Sequence, residues 1–133
     1  MPRALRTLPA LLLLTAAPLA AQNAPAQRSA ADGVYTQAQA DRGETAFRAT
    51  CASCHVLSDF TGPNFLKRWS NVGSLFETIS TTMPQDFPGG LTAQQYADVV
   101  AYFLRRNSFP TGPDELPKEK APLSAIVIPQ PGG

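Results

Sequence analysis

The composition is that of a small, nearly neutral chain. Its 133 residues include 11 basic and 10 acidic side chains, for a formal net charge of +1, and 44% of the residues are hydrophobic. This balance offers no basic excess for binding nucleic acid, and the length suits one small domain with a modest core.

The first 21 residues predict an export signal. Arg3 and Arg6 precede a leucine-rich apolar run, and small residues ending at Ala21 offer a cleavage site. The alternative is a membrane anchor, but the run is shorter than the roughly 20 apolar residues of a spanning helix and is interrupted by Pro18. Cleavage would therefore release a protein with no membrane span, and we expect it in the periplasm, an oxidising compartment.

Changes in composition divide the remaining chain into three parts. Residues 22–33 are small and polar, and we interpret them as a flexible leader. Periodic apolar patterns occupy residues 34–109, the predicted domain. Residues 110–133 hold six of the 13 prolines, and because proline blocks helices and interrupts sheets, we predict an extended tail. The apolar patch at 125–128 is expected to lie on the domain or to dock a partner.

Three helices are predicted within the domain, and none of its segments has a long alternating strand pattern. Each helix begins at a possible capping box, in which two side chains satisfy free backbone N–H groups. The three boxes are Thr36 with Gln39, Ser74 with Glu77, and Thr92 with Gln95. The first helix covers about 36–50 and the last about 93–106, with apolar residues along one face of each. The fold class is therefore predicted to be all-α.

The five residues Cys51-Ala52-Ser53-Cys54-His55 contain both cysteines and the single histidine of the chain. They match C-x-x-C-H, the attachment signal for c-type haem. Two thiols at this spacing can add to the two vinyl groups of one porphyrin, and the adjacent imidazole can then bind the iron. We therefore predict one covalently bound haem c.

Other uses of this motif fit the chain less well. A structural zinc site needs four ligands, and two cysteines and one histidine are too few. A thioredoxin-like redox pair occurs beside a βαβ pattern, which the sequence lacks. A disulfide across so short a loop would stabilise the fold little.

The sixth ligand of the iron is predicted to be Met83. His55 is the only histidine, and Met83 is the only methionine left once Met1 departs with the signal. Met83 precedes Pro84 and so should lie in a loop just after the middle helix, because a residue before proline is pushed away from helical angles. The alternatives are a methionine that only fills the core and an open iron site that binds an exchangeable ligand.

These motifs resemble the monohaem class I cytochromes c of the bacterial periplasm, over about residues 34–108. The similar features are Gly43-x-x-x-Phe47 before the haem signal, Gly62-Pro63, Met83-Pro84 and Val99-x-x-Tyr102. The resemblance implies a cytochrome c fold in which the first and last helices cross, with Gly43 and Phe47 packed against Val99 and Tyr102. It also implies that the Pro63 carbonyl orients His55 and that Trp69 donates to a haem propionate. A core tryptophan satisfied by the backbone is the alternative for Trp69.

A looser resemblance links the chain to the small haem subunits or domains that serve quinoprotein dehydrogenases. It depends on Gly33-Val34-Tyr35-Thr36, on Leu66-x-x-Trp69 and on Pro88-Gly89-Gly90-Leu91. The expected function is one-electron transfer to and from redox protein partners such as a dehydrogenase, an oxidase or another cytochrome, without enzymatic turnover of its own. The alternative is a haem enzyme or sensor with an exchangeable sixth ligand.

Overall fold

A computed structural model describes residues 26–130, together with Met1 and Gly132. The predicted export signal at 1–21 lies almost wholly outside the described residues. The helices are α1 (Gln37–Thr50), α2 (Pro63–Leu66), α3 (Val72–Thr82), α4 (Ala93–Arg106) and α5 (Lys120–Ser124). Two 3-10 helices (Ala30–Asp32 and Leu57–Phe60) and two short strands, β1 (Arg28–Ser29) and β2 (Ile126–Val127), complete the regular structure of this part of the chain. The predicted all-α class is confirmed.

Helices α1 and α4 pack against each other at Gly43. A Cβ placed on Gly43 would lie 1.8 Å from the carbonyl oxygen of Asp98 and 3.0 Å from the Cβ of Tyr102, so a glycine is needed for this close approach. One turn further along α1, the ring of Phe47 lies 5.7 Å from that of Tyr102. The predicted helix pair is confirmed, although the backbone of Asp98 lies closer to the glycine than Val99 does.

The predicted capping boxes have three different outcomes. Thr92 and Gln95 form the complete reciprocal box at the start of α4. Thr36 accepts from the backbone N–H of Gln39 at 3.1 Å. The Gln39 side chain bonds the backbone of Leu116 instead of Thr36, so this box is only half formed.

The prediction that Ser74 caps the middle helix is wrong. The N-cap lies three residues earlier, at Asn71, whose side chain accepts from the backbone N–H of Ser74 at 2.9 Å, and α3 begins at Val72. Asparagine caps a helix as well as serine does, and the Ser74 hydroxyl donates back to the Asn71 carbonyl at 2.7 Å.

The segment predicted to be a flexible leader is partly folded, which corrects that interpretation for residues 28–33. Strand β1 pairs in parallel with β2, with Arg28 beside Ile126 and Ser29 beside Val127. Ala30, which follows β1, has no exposed surface. The leader acquires this order because the far end of the chain supplies a partner strand, which local sequence patterns do not reveal.

The proline-rich tail also differs from the extended segment predicted, since it contains α5 and β2. Four of its apolar side chains are at most 2% exposed: Leu116, Leu123, Ile126 and Ile128. The Gln39 side chain holds the start of this segment, donating to the Leu116 carbonyl at 3.2 Å and accepting from the Leu116 N–H at 2.7 Å. The tail therefore lies on the domain. Of the two expectations for the apolar patch at 125–128, packing on the domain or docking a partner, the structure shows the first.

None of the helices within the described part of the chain combines the length and the hydropathy that crossing a membrane requires.

Candidate haem site

A cavity of about 1110 Å³ lies between the end of α1, the end of α3 and the start of α4. It brings together five of the six predicted site residues: Cys51, Cys54, His55, Trp69 and Met83. Much of the remaining wall is apolar and includes Phe60, Ile79, Leu91, Val99 and Phe103. The five predicted site residues, which lie up to 32 positions apart in the sequence, thus line one space.

The haem-attachment motif reaches this cavity because the chain turns tightly as α1 ends. The N–H of Cys51 donates to the Phe47 carbonyl at 2.8 Å, which closes the last turn of the helix. The N–H groups of Cys54 and His55 then both donate to the Cys51 carbonyl, at 3.1 and 3.0 Å. This turn presents both sulfurs and the imidazole to one cavity, the arrangement that a doubly attached porphyrin requires.

Both cysteines are free thiols in the structure. Cys51 is half-buried and Cys54 is exposed, and burial raises the pKa of the Cys51 thiol.

His55 is partly exposed and lies against an aromatic wall of the cavity. Its ring centroid is 5.2 Å from that of Phe60, and the Phe60 ring stacks on Phe103 at 4.4 Å. The Nδ1 atom of His55 lies 3.8 Å from an oxygen of Asp59, which is beyond ordinary hydrogen-bond distance. Asp59, which the sequence patterns did not single out, is therefore a neighbour of the ring and not a hydrogen-bond partner of it.

Pro63 is the predicted site residue that does not line the cavity. It is exposed, begins α2, and its carbonyl accepts from the backbone N–H of Lys67 at 3.0 Å. Among the described residues, no hydrogen bond joins His55 to Pro63. The orienting role of Pro63 therefore stays a prediction.

Trp69 provides a direct test of whether the cavity fits a haem. Its indole Nε1 is buried, and among the described residues it is the only buried side-chain nitrogen or oxygen without a hydrogen-bond partner. An unpaired buried donor is costly, and this one belongs to a side chain that lines the cavity. The backbone does not satisfy the indole, so the core-tryptophan alternative loses its support. A ligand that carries carboxylates, as haem does, fits this donor.

Met83 follows the last residue of α3 and adopts an extended conformation. Its N–H donates to the Ile79 carbonyl at 3.0 Å, which ends the helix. Its own carbonyl accepts from the Tyr96 hydroxyl at 2.5 Å and from the Gly89 N–H at 3.3 Å. These contacts keep the predicted iron ligand at the cavity, and Tyr96 is a participant that the sequence analysis missed.

Comparison with known proteins supports the same assignment. The family model described as cytochrome c oxidase, cbb3-type, subunit III matches residues 38–103, which include the haem-attachment motif, Met83 and most of α4. Comparison with curated proteins and with solved structures finds no match. From the attachment motif, the fold and this family match together, we conclude that the chain belongs to the class I c-type cytochromes, haem proteins that transfer electrons.

Proposed function

We propose that this protein is a periplasmic one-electron carrier that holds a single haem c with His55 and Met83 as axial ligands. The observation that supports the proposal best is the shared cavity, lined by both thiols, the imidazole and Met83. The bound haem supplies an iron that alternates between Fe(III) and Fe(II).

The residues of the chain have distinct roles in this proposal. Cys51 and Cys54 hold the cofactor covalently, so that its iron stays beside His55 through repeated turnover. Phe60, Val99 and Phe103 line the cavity with apolar surface, which lowers the local polarity. Histidine and methionine ligation together with a low-polarity pocket raises the midpoint potential. We therefore expect a positive potential and a low-spin spectrum.

Met83 ligation is tested by adding carbon monoxide to the reduced holoprotein. We expect little spectral change in the wild type, because both axial positions of the iron are filled. Met83→Ala should bind carbon monoxide readily. Thr81→Ala is the matched control, since Thr81 is exposed, does not line the cavity, and, among the described residues, its hydroxyl bonds only within α3. If the wild type binds carbon monoxide as readily as Met83→Ala, the site is open and the alternative of an exchangeable ligand is favoured.

The number of haems and the cellular location require separate measurements. The mass of the secreted protein should exceed that of the cleaved polypeptide by one haem, and a Cys51→Ser/Cys54→Ser variant should lack this increment. Fractionation of the cells should place the holoprotein in the periplasm, with its N-terminus close to residue 22. Holoprotein with an uncleaved N-terminus in the membrane fraction would contradict the proposed location.

The proposed partners are redox proteins that dock where the haem edge is exposed. Electron-transfer complexes of this kind have small interfaces and dissociate quickly. The resemblance to haem subunits of quinoprotein dehydrogenases suggests one class of donor, and it stays a prediction. Its test is the rate at which a reduced quinoprotein dehydrogenase reduces the holoprotein, compared with an unrelated reductant.

A further inference from the structure

Among the described residues, segment 83–91, which follows α3, forms hydrogen bonds with the rest of the protein beyond α3 through one hydroxyl group. Tyr96 lies in the first turn of α4 and is only 4% exposed. Its hydroxyl donates to the Met83 carbonyl at 2.5 Å and accepts from the backbone N–H of Leu91 at 3.4 Å. A single side chain therefore binds both ends of the segment 83–91.

The other hydrogen bonds of this segment are local. The N–H of Phe87 donates to the Pro84 carbonyl and that of Gly90 to the Phe87 carbonyl, both at 3.0 Å. Gly89 donates to Met83 within the same segment, and the Met83 N–H returns to α3. Among the described residues, the Tyr96 hydroxyl is thus the only group outside α3 and the segment itself that forms a hydrogen bond with it.

The far half of the segment is also poorly packed. Pro88, Gly89 and Gly90 are exposed and do not line the cavity. Segments with few buried contacts and exposed backbone open locally at low free-energy cost. Opening here would carry Met83 away from the cavity and expose the iron. The hydrogen bond from Tyr96 opposes this opening.

We propose that Tyr96 is a positioning residue that holds the Met83 segment closed and thereby keeps outside ligands from the iron. The proposal rests on Met83 being the sixth ligand. It goes beyond that assignment because it identifies the side chain, outside the ligand loop, that sets how often the ligand leaves. Tyr96 lines the cavity, but in this role it binds no iron and acts through the backbone of Met83.

The test is to measure imidazole binding to the oxidised holoprotein through the change in the haem absorption spectrum. Imidazole can bind only when Met83 has left, so its apparent affinity is reduced by the small fraction of open molecules. Tyr96→Phe removes the hydroxyl and keeps the ring. We expect imidazole to bind this variant about three- to tenfold more tightly, the range that the loss of one net hydrogen bond allows.

Two control variants distinguish local opening from general destabilisation. Tyr102→Phe removes a hydroxyl from the same helix at a position that does not line the cavity. Gln39→Ala weakens the attachment of the tail far along the chain from Met83. Both should bind imidazole with wild-type affinity, whatever their midpoints of chemical unfolding.

The outcomes also separate this proposal from the assignment of Met83. Wild-type imidazole affinity in Tyr96→Phe, beside much tighter binding in Met83→Ala, would overturn the role of Tyr96 and leave the ligand assignment intact. An equal gain in Tyr96→Phe and Gln39→Ala would also overturn it, because the effect would then be global. Equal imidazole affinity in the wild type and Met83→Ala would overturn both proposals.

Discussion

The Arg42 guanidinium on α1 binds the buried carboxylate of Asp98 on α4 through two hydrogen bonds, each 3.0 Å long. Asp98 also accepts from the side-chain amide of Gln94 at 2.8 Å, and its side chain is only 5% exposed. The hydrogen bonds to Asp98 and Glu115 raise the pKa of Arg42. A carboxylate this buried depends on its charged partner, because an unpaired buried charge is strongly destabilising.

Arg42→Ala should therefore lower the free energy of unfolding by about 2 kcal/mol or more, since Asp98 would keep only Gln94 as a partner. Arg48→Ala is the matched control on the same helix, because Arg48 is 74% exposed and, among the described residues, pairs only with Glu44. Its cost should stay below about 1 kcal/mol. Urea unfolding of the two holoproteins measures the difference. An equal loss of unfolding free energy in both variants would contradict the dependence of the buried Asp98 carboxylate on Arg42.

Gly43→Ala should destabilise the protein although alanine favours helix by about 1 kcal/mol over glycine. The added Cβ would overlap the Asp98 carbonyl, and overpacking of this kind costs about 1–3 kcal/mol or more. Since the clash is with backbone, we expect a net loss of at least about 2 kcal/mol by thermal or chemical unfolding. Thr45→Ala, on the exposed side of α1, should be close to neutral. A Gly43→Ala protein as stable as Thr45→Ala would contradict the close approach of the helices.

Gln39→Ala should release the start of the tail. The variant loses both hydrogen bonds to the Leu116 backbone and leaves a buried N–H and a buried carbonyl unpaired, at a cost of about 2–3 kcal/mol. Hydrogen exchange at the Leu116 amide should accelerate together with this loss. Gln37→Ala removes an exposed glutamine from the same helix turn, whose side chain bonds only Asp41 within the described part of the chain, and should leave Leu116 exchange unchanged. Slow exchange at Leu116 in both variants would show that the tail is held by other contacts.

Trp69→Phe should change how the midpoint potential depends on pH. If the unpaired indole N–H donates to an ionised haem propionate, it stabilises the charged form and lowers the pKa of that propionate. Removing the donor raises this pKa, so the pH range in which the potential falls should move to higher pH. Potentiometric titration of the holoprotein across the acidic and neutral range measures the shift.

Phe65→Leu is the control for this experiment. The Phe65 ring packs 6.2 Å from that of Trp69 and has no N–H group, so its replacement should preserve the pH profile. A wild-type profile in Trp69→Phe would mean that the indole does not bind a propionate.

The features read correctly from the sequence are local in the chain. The spacing within Cys51-Ala52-Ser53-Cys54-His55 identifies the cofactor because both thiols and the imidazole must meet one porphyrin. Helix α4 has the predicted bounds, 93–106, because its capping box and apolar stripe lie within fourteen residues. The end of α3 before Met83 follows from the restriction that Pro84 places on its neighbour.

Where the sequence analysis failed, the deciding partner lies far along the chain. The Gln39 side chain bonds Leu116, 77 positions away, instead of completing the box with Thr36. Strand β1 exists only because β2 pairs with it, and the tail folds back because its apolar side chains find a surface to cover.

By itself, the sequence determined which cofactor the chain binds and where its long helices lie, because those properties arise from neighbours in the chain. Only the tertiary structure decided that the Tyr96 hydroxyl holds Met83, that the Trp69 indole is buried without a partner, and that the tail lies on the domain. These hydrogen bonds and this burial depend on which surfaces meet in the folded protein. The spacing of residues along the chain therefore does not predict them.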